Sequence, residues 1–436
     1  MEMKKIAALL AIAAASGSAF ATNGYFSHGY GMKAKGMGGA ATAVTGDTFG
    51  GANNPATMVW AGDRLDVGLD WFSPKRSVSR VGSPGGAIDG SSESGSSNFY
   101  VPEFGYNKML GWDMAVGVSV YGNGGMNTDY PGGELTGDPF GTCGGARANM
   151  LGGCGKLGVD LMQLIVAPTF SMKINKDHSI GVSPLFGYQR FKVDGLQAFT
   201  GVSSSGNDVT NKDYDSSRGF GLRLGWLGKV SETVTLGAAY STKMKMSRFG
   251  KYQGLFAEQG DFDIPENFNF GISVKATPKT SVAFDIQQIN YSDVRSIANG
   301  VTNSLPAPVA PNRLGDANGS GFKWRDQTVF KLGLEYEYSK ELMLRAGYNY
   351  GKSPIRDGTT DDVTFNIIAP GVVEQHVTLG GTWTLANKSE LTVSYMHAFS
   401  KSVTGPSALA LFGLPSTETL KMHQNSLGIA YGIKFQ

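Results

Sequence analysis

The sequence predicts an all-β protein: a fourteen-stranded antiparallel β-barrel that crosses a membrane, with its N-terminal segment folded inside the lumen. Three observations favour this fold: apolar residues alternate with period two, the alternating segments are long enough to cross a bilayer, and short and long connections alternate strictly. The chain has 436 residues, 41% hydrophobic and 17% charged, with 62 glycines and only 17 prolines. This composition is typical of many strands joined by turns and loops, and it argues against disorder.

The first 21 residues predict a cleaved export signal. Lys4 and Lys5 precede an apolar run over residues 6–15, and Ala19-Phe20-Ala21 fits the small-x-small cleavage rule. A helix of that run is about 15 Å long, roughly half of a bilayer core. We therefore expect cleavage after Ala21. The remaining sequence holds no run of 18 or more apolar residues, so we expect no transmembrane helix in the mature chain.

The strands are predicted from alternation. In residues 112–121, apolar side chains of one parity alternate with small or polar ones, and residues 342–350, 376–385 and 427–435 repeat the pattern. A soluble sandwich would alternate in the same way, but the segments run to about 9–18 residues, and a tilted strand of about 9–11 residues crosses a bilayer. The predicted strands lie near residues 64–72, 97–108, 112–121, 157–174, 178–193, 218–230, 233–247, 264–276, 279–291, 325–338, 341–351, 373–386, 389–400 and 422–435.

The connections indicate the environment of the barrel. Links after the even-numbered strands are tight, as at residues 175–177 and 277–278, whereas the others are long. Short periplasmic turns and long extracellular loops are typical of outer-membrane barrels, and an even strand number returns both ends to the periplasm. Aromatic residues at strand ends suit interfacial girdles. Inward positions are rich in small residues with scattered charges, so we expect a narrow or apolar lumen.

The cysteines and histidines limit the chemistry. Cys143 and Cys154 lie in one glycine-rich stretch, and export to an oxidising compartment predicts a disulfide between them. A metal site would need more ligands, so we expect no metal and no cofactor. The five histidines form no recognisable nucleophile or metal motif, which predicts a protein that is not an enzyme. A net charge of +2 without a basic run indicates no nucleic-acid partner.

The order of several short motifs carries a resemblance to a known family. The glycine- and alanine-rich segment 22–63 ends in Asn54-Pro55-Ala56, after Gly36-Met37-Gly38-Gly39-Ala40. Ile264-Pro265-Glu266, Gly321-Phe322-Lys323 and Ser394-Tyr395-Met396-His397 follow in the same order as similar motifs of that family. The mature chain therefore resembles the FadL-type outer-membrane transporters for long-chain fatty acids and hydrocarbons.

This resemblance implies a hatch at residues 22–63 and a barrel at residues 64–436, in the outer membrane of a Gram-negative cell. It implies passive uptake: the ligand meets an apolar groove on the loops, enters a pocket, and leaves sideways through a gap beside a kink in the third strand. The expected partners are long-chain fatty acids or other hydrophobic small molecules, with outer-membrane lipid and lipopolysaccharide around a monomer. The alternatives are a channel for aromatic or alkane hydrocarbons and a polar porin.

The resemblance also suggests gating residues. Asn54, Pro55 and Ala56 would meet the third strand, although Asn-Pro also favours a simple turn. Gly117 is the candidate for the kink, because glycine marks bulges, or else a small lumen-facing residue.

Ligand contacts follow from the same comparison. Arg190 and Lys323 resemble positions that bind a carboxylate headgroup, a role that suits cations facing an apolar pocket. Alternatively, they form salt bridges with acidic residues, and they would be structural if the ligand is uncharged. Apolar loop residues would form an exposed groove for the ligand or pack on each other, and both can hold together; they are Met126, Tyr130, Phe140, Phe249, Tyr252, Leu255 and Phe256.

Overall fold

The computed structural model describes residues 23–306, 310–359 and 361–435. The predicted signal peptide and its cleavage point after Ala21 lie outside the described residues, as does Thr22 at the start of the expected hatch. Within the described ranges, none of the helices has the length and apolarity that crossing a membrane requires.

Fourteen antiparallel strands form a closed barrel, as predicted. Each strand pairs with its neighbours in sequence, and the first and last strands close the wall, from Arg64 opposite Lys434 to Val81 opposite Thr417. The strands are β1 Arg64–Val81, β2 Phe99–Met109, β3 Met114–Tyr130, β4 Leu157–Lys173, β5 His178–Asp194, β6 Asp215–Lys229, β7 Val234–Ser241, β8 Asn267–Thr277, β9 Thr280–Ile289, β10 Gln327–Glu337, β11 Leu342–Gly351, β12 Gln375–Thr384, β13 Glu390–Pro406 and β14 Thr417–Lys434.

The remaining elements are short. Two lie in the N-terminal segment: helix α1, Met32–Gly36, and a 3₁₀ helix, Pro55–Trp60. The long loops contain the rest: strands Gly90–Glu93 and Lys245–Met246, helical turns α2 Ala257–Gly260 and α3 Arg295–Ala298, and 3₁₀ turns Pro84–Gly86, Gln197–Val202, Gly206–Asp208, Gly250–Tyr252, Tyr291–Asp293, Val301–Asn303, Thr364–Ile367 and Ala408–Phe412.

Several strands extend further on the extracellular side than the alternation predicted. β1 continues to Val81 and β3 to Tyr130, while β13 ends at Pro406 and β14 begins at Thr417. Above the bilayer the outward positions no longer face lipid, so the apolar half of the alternation disappears although the backbone pairing continues. The expected loop at residues 122–156 therefore starts only after Tyr130.

The two faces of the wall differ as expected, with one correction. Outward side chains are apolar and exposed, as at Leu69, Leu379 and Ile429. The inward face carries more charge than expected. Buried inward residues with charged side chains include Arg64, Asp66, Asp70, Glu103, Asp285, Lys331, Arg345 and Glu390. Their partners come largely from the N-terminal segment, which the local sequence of a strand does not show.

Candidate functional site

The N-terminal segment, residues 23–63, is held in the lumen by buried ion pairs. Lys35 on α1 lies 2.8 Å from Asp70 of β1 and 3.6 Å from Glu103 of β2, and all three side chains are under 5% exposed. Burial opposes the charged ammonium, yet the two carboxylates raise the pKa of Lys35 above its ordinary value. Lys33 pairs with Glu390 of β13 at 2.7 Å. The N-terminal segment therefore supplies the lysines that pair with acidic residues on both sides of the junction between the first and last strands.

Two aspartates of the wall bind the backbone of the segment. Asp285 of β9 accepts hydrogen bonds from the Ala41 and Thr42 amides at 2.8 and 2.9 Å and from the Thr42 hydroxyl at 2.7 Å. Asp66 of β1 accepts from the Thr48 amide and hydroxyl at 3.1 and 2.8 Å. Charge-assisted bonds of this kind are the stronger ones. They fix the middle of the segment across the lumen.

Inward-facing glycines let the segment pack directly against the wall. A Cβ atom on Gly347 would lie 2.1 Å from the Gly38 amide nitrogen, and one on Gly237 would lie 2.1 Å from the Thr42 carbonyl oxygen. Any larger residue at these positions would push the segment away from the wall. Close backbone approach thus explains part of the high glycine content.

The Asn54-Pro55-Ala56 motif starts the 3₁₀ helix Pro55–Trp60. The Asn54 side chain accepts from the Ala56 amide at 3.1 Å and donates to the carbonyls of Thr42 and Trp226 at 2.8 and 2.9 Å. A Cβ on Gly225 would lie 2.1 Å from the Asn54 oxygen, and one on Gly181 would lie 2.4 Å from the Pro55 carbonyl carbon. The motif therefore packs against β5 and β6, and its expected gating role at the third strand stays a prediction.

The third strand is contacted by the end of the same helix, at Met58. A Cβ on Gly117 would lie 2.5 Å from the Met58 methyl carbon. Gly117 pairs regularly with Asn107 of β2 and Thr169 of β4, so it is not the kink. The irregularity of β3 lies at Asn123, where the register with β4 shifts between Gly122 and Gly124. A bulge of this kind is set by pairing with a distant strand, which explains why glycine alone misplaced it.

A gap in the wall begins just below this bulge. The pairing of β2 with β3 ends at Phe104 opposite Val120. Among the described residues, β3 from residue 121 to 130 has no ladder partner in β2, and residues 99–103 of β2 pair only with β1. β2 and β3 therefore separate on the extracellular half of the barrel.

The start of the N-terminal segment occupies this gap. Phe26 forms a bridge with Gly124, the Gly125 amide donates to the Tyr25 carbonyl at 3.2 Å, and the Ser27 amide donates to the Asn123 carbonyl at 3.2 Å. Arg76 completes the closure. Its guanidinium donates to the carbonyls of Asn127 and Ser96 and lies 5.8 Å from the Phe99 ring centroid.

Beneath the extracellular loops lies an apolar cavity of about 40 Å³. Aromatic rings pack around it, with centroids of Phe191 and Phe256 at 4.7 Å and of Phe199 and Phe365 at 5.3 Å. No charged side chain lines this cavity among the described residues. The lining residues are Leu151, Val159, Phe191, Leu196, Phe199, Leu255, Phe256, Ser296, Leu314, Ser320, Gly321, Phe322, Phe365 and Ile368.

The expected headgroup cations lie outside this cavity. Arg190 is on the outward parity of β5, between the buried inward residues Gln189 and Phe191, and its guanidinium stacks 4.2 Å from the Tyr214 ring centroid. The expectation that Arg190 faces the pocket is therefore wrong. Lys323 lies 3.6 Å from Asp361 and is about one-third exposed, which agrees with the alternative of a salt bridge.

The apolar loop residues pack on each other and form no exposed groove. Met126 and Tyr130 lie on β3, and Tyr130 is fully buried with its hydroxyl donating to the Ile367 carbonyl at 2.9 Å. Phe140 is half-buried against Phe412, with ring centroids 5.9 Å apart. These residues therefore agree with the alternative of mutual packing, and their contact with a ligand stays a prediction.

The loop after β7 repeats this packing. Phe249 and Tyr252 are fully buried, with ring centroids 5.5 and 4.8 Å from Phe191. Leu255 and Phe256 line the apolar cavity and so remain candidate ligand contacts. Phe191 was not predicted as a cavity residue, although its position next to the outward-facing Arg190 places its side chain inward.

The predicted disulfide is present. Cys143 and Cys154 are bonded, with their Cα atoms 5.2 Å apart, and no free cysteine is found in the described chain. The bond closes a loop that reaches the apolar cavity through Leu151.

The opposite end of the lumen is polar. A cavity of about 380 Å³ opens toward the short turns and is lined by Lys33, Arg345, Glu335, Glu390 and other polar residues. The N-terminal segment supplies one side of this cavity through Met37, Ala40 and Ala41. The N-terminal segment therefore lies between this polar cavity, called the polar vestibule, and the apolar cavity beneath the loops.

Comparison with known proteins supports the same fold. A family model described as outer membrane protein transport protein (OMPP1/FadL/TodX) matches residues 7–436. No curated protein matches the chain. The crystal structure of the Pseudomonas putida toluene transporter TodX is similar, with 17% identity, a TM-score of 0.68, and coverage of 94% of this chain and 99% of that one.

Two further crystal structures are similar. A Pseudomonas aeruginosa FadL homologue has 15% identity and a TM-score of 0.68, covering 95% of this chain and 100% of that one. The Ralstonia pickettii toluene transporter TbuX has 17% identity and a TM-score of 0.61, covering 94% and 99%. At these identities the structures show a shared fold.

Proposed function

The chain belongs to the OMPP1/FadL/TodX family of outer membrane transport proteins, and from this membership we propose that it carries hydrophobic small molecules inward by passive lateral diffusion. The observation that carries the route is the gap between β2 and β3, which the start of the N-terminal segment occupies and Arg76 bridges. A ligand in the apolar cavity would reach lipid through this gap once residues 25–27 move.

The N-terminal segment is proposed as the hatch, residues 22–63, within the barrel of residues 64–436. Buried ion pairs and aspartate contacts hold its middle, whereas its start binds the wall gap mainly through backbone bonds and aromatic side chains. The start can therefore open while the middle stays seated. This arrangement directs a hydrophobic ligand sideways and away from the polar vestibule.

Among hydrophobic ligands, the cavity favours uncharged hydrocarbons over long-chain fatty acids. A buried carboxylate needs a paired cation, but Arg190 faces outward and Lys323 is paired with Asp361. TodX and TbuX are described as toluene transporters, and we propose a ligand of similar character here. The cavity of about 40 Å³ is smaller than the roughly 150 Å³ apolar cavity that binds benzene, so aromatic side chains must move to admit a ligand.

The family consists of transport proteins, and we propose that this member performs no catalysis. We also propose that it acts as a monomer, because cavity, hatch and gap come from a single chain. Outer-membrane lipid and lipopolysaccharide are then the partners of its outer wall.

Uptake measurements with a cavity-filling variant test the ligand proposal. Leu255→Trp adds bulk to the cavity lining and should slow toluene uptake at least tenfold in cells that express the protein. Leu414→Trp is the matched control, because Leu414 packs on the same hydrophobic core without lining the cavity. Oleate uptake that exceeds toluene uptake would contradict the preference for hydrocarbons, and normal toluene uptake in Leu255→Trp would contradict the site.

A further inference from the structure

A cluster of basic side chains lies on the outer wall where β13, β14 and β1 meet. Lys75 of β1 pairs directly opposite His423 of β14. Lys421 lies two residues before His423, nearer the extracellular end of β14. His397 of β13 lies opposite Asn425. All four basic residues occupy outward-facing positions, and both lysines are exposed. These four residues are called the basic patch.

The basic patch lacks a matching acid. Neither lysine forms an ion pair within the part of the chain that the structure describes, and Lys75 donates only to the Ser97 hydroxyl at 3.1 Å. By register, Glu93 lies opposite Ser77, the partner of Lys421, but it pairs with neither lysine. Lys75 and Lys421 are therefore two ammonium groups on adjacent strands without a counter-charge among the described residues. An anion from outside the chain would supply that counter-charge.

The height of the patch indicates where that anion comes from. Lys75 lies eleven residues beyond Arg64 on β1, which places it about 28 Å above the periplasmic end at roughly 3.3 Å per residue and a tilt of about 40°. The apolar band of such barrels is about 25 Å tall. Below the patch, Trp71, Tyr395 and Leu427 are exposed, as in an interfacial girdle. The patch therefore lies at the level of the outer headgroups.

We propose that the basic patch binds the phosphate groups of outer-leaflet lipid, the phosphorylated headgroup of lipopolysaccharide. This inference rests on the proposed lipid partner of the outer wall, and it is independent of the transported ligand. Ammonium groups pair with phosphate as point charges. His423 adds a hydrogen-bond donor beside Lys75, whereas His397 already donates its Nδ1–H to the Asn425 oxygen at 2.9 Å and so positions that amide.

The opposite wall shows why this patch is distinctive. Arg190 and Lys192 also lie outward near the extracellular end of β5, but Lys192 pairs with Asp194 at 3.1 Å, and Asp160 accepts from Tyr214 at 2.6 Å. The chain itself supplies anions there, whereas none of the described acidic residues forms an ion pair with the lysines of the basic patch.

Lipid binding to the purified full-length barrel tests the proposal. Native mass spectrometry in mild detergent compares lipopolysaccharide with its enzymatically dephosphorylated form and with inorganic phosphate. A lysine near a membrane surface contributes about fivefold in affinity, so Lys75→Gln with Lys421→Gln should weaken binding about 25-fold. The matched control is Lys176→Gln with Lys279→Gln, which removes two lysines from the short turns.

The control variant should bind intact lipopolysaccharide as tightly as the wild-type protein does. The wild-type protein should bind the dephosphorylated lipid as weakly as the double variant binds the intact lipid. Equal binding by the double variant and wild type would overturn the proposal, as would equally tight binding of the dephosphorylated lipid or of inorganic phosphate alone. Toluene uptake should persist in the double variant. A wild-type protein that binds the lipid but takes up no toluene would count against the transport proposal alone.

Discussion

Replacing Lys35 by methionine should unseat the proposed hatch. The change leaves the carboxylates of Asp70 and Glu103 buried, at 2% and 4% exposure, without the ammonium that now lies 2.8 and 3.6 Å away. Removing one partner of a buried ion pair costs about 3–5 kcal/mol, a shift of roughly 100- to 4000-fold in the equilibrium between seated and unseated states. Single-channel recording in planar bilayers measures this shift as a rise in open probability.

Lys33→Met is the matched control, two residues away on the same helix. Its partner Glu390 keeps Arg64 at 3.0 Å and Lys434 at 2.5 Å, so the open probability should rise far less. Adding Asp70→Asn and Glu103→Gln to Lys35→Met removes the unpaired charges and should restore closure. Wild-type conductance in Lys35→Met, or no rescue by the amides, would refute the assignment of this pair as the anchor.

Three smaller predictions accompany it. Arg190→Gln should leave the affinity for toluene and for oleate unchanged, because Arg190 faces outward; a loss of oleate binding by isothermal titration would argue otherwise. Cys143→Ser with Cys154→Ser should destabilise the closed loop by about 3 kcal/mol, which limited proteolysis would detect as faster cleavage without loss of the barrel. Burial and the neighbouring acids Asp263 and Glu258 raise the pKa of Asp261 to about 6. Its contribution to loop stability is thus present at low pH and lost as pH rises through 6, so the hydrogen-exchange protection of residues 257–263, relative to the intrinsic exchange rate at each pH, should be lower at pH 7.5 than at pH 5, and equal protection at both pH values would contradict this.

The barrel was predictable because the local sequence of each strand shows which side chains face lipid. Alternation along one strand, as in residues 427–435, reports which face meets lipid, and the strict alternation of short and long links reports topology. The extracellular half of β1 was missed because Lys75 and its outward neighbours face water or headgroups and carry no apolar signal. Pairing with β14 extends the strand there, and pairing is invisible in a single segment.

The site was predictable only in part. The motif at Asn54 was located, but its contact with Gly181 and Gly225 depends on how the segment folds across the lumen. Arg190 was assigned to the pocket by resemblance, although the alternation along β5 places Arg190 outward and Phe191 inward. The wall gap follows from the end of one ladder at Phe104 and Val120, and no sequence pattern marks where two strands separate.

The role of the wall gap can be tested most directly by locking it. The Ser27 amide donates to the Asn123 carbonyl beside the Phe26–Gly124 bridge, and residues paired in this way have Cα atoms about 5.5 Å apart, within the range of a disulfide. In Ser27→Cys with Asn123→Cys, oxidation should abolish toluene uptake, and a reductant should restore it, while each single variant takes up toluene under both conditions. Undiminished uptake by the oxidised, fully cross-linked protein would show that the ligand leaves by another route.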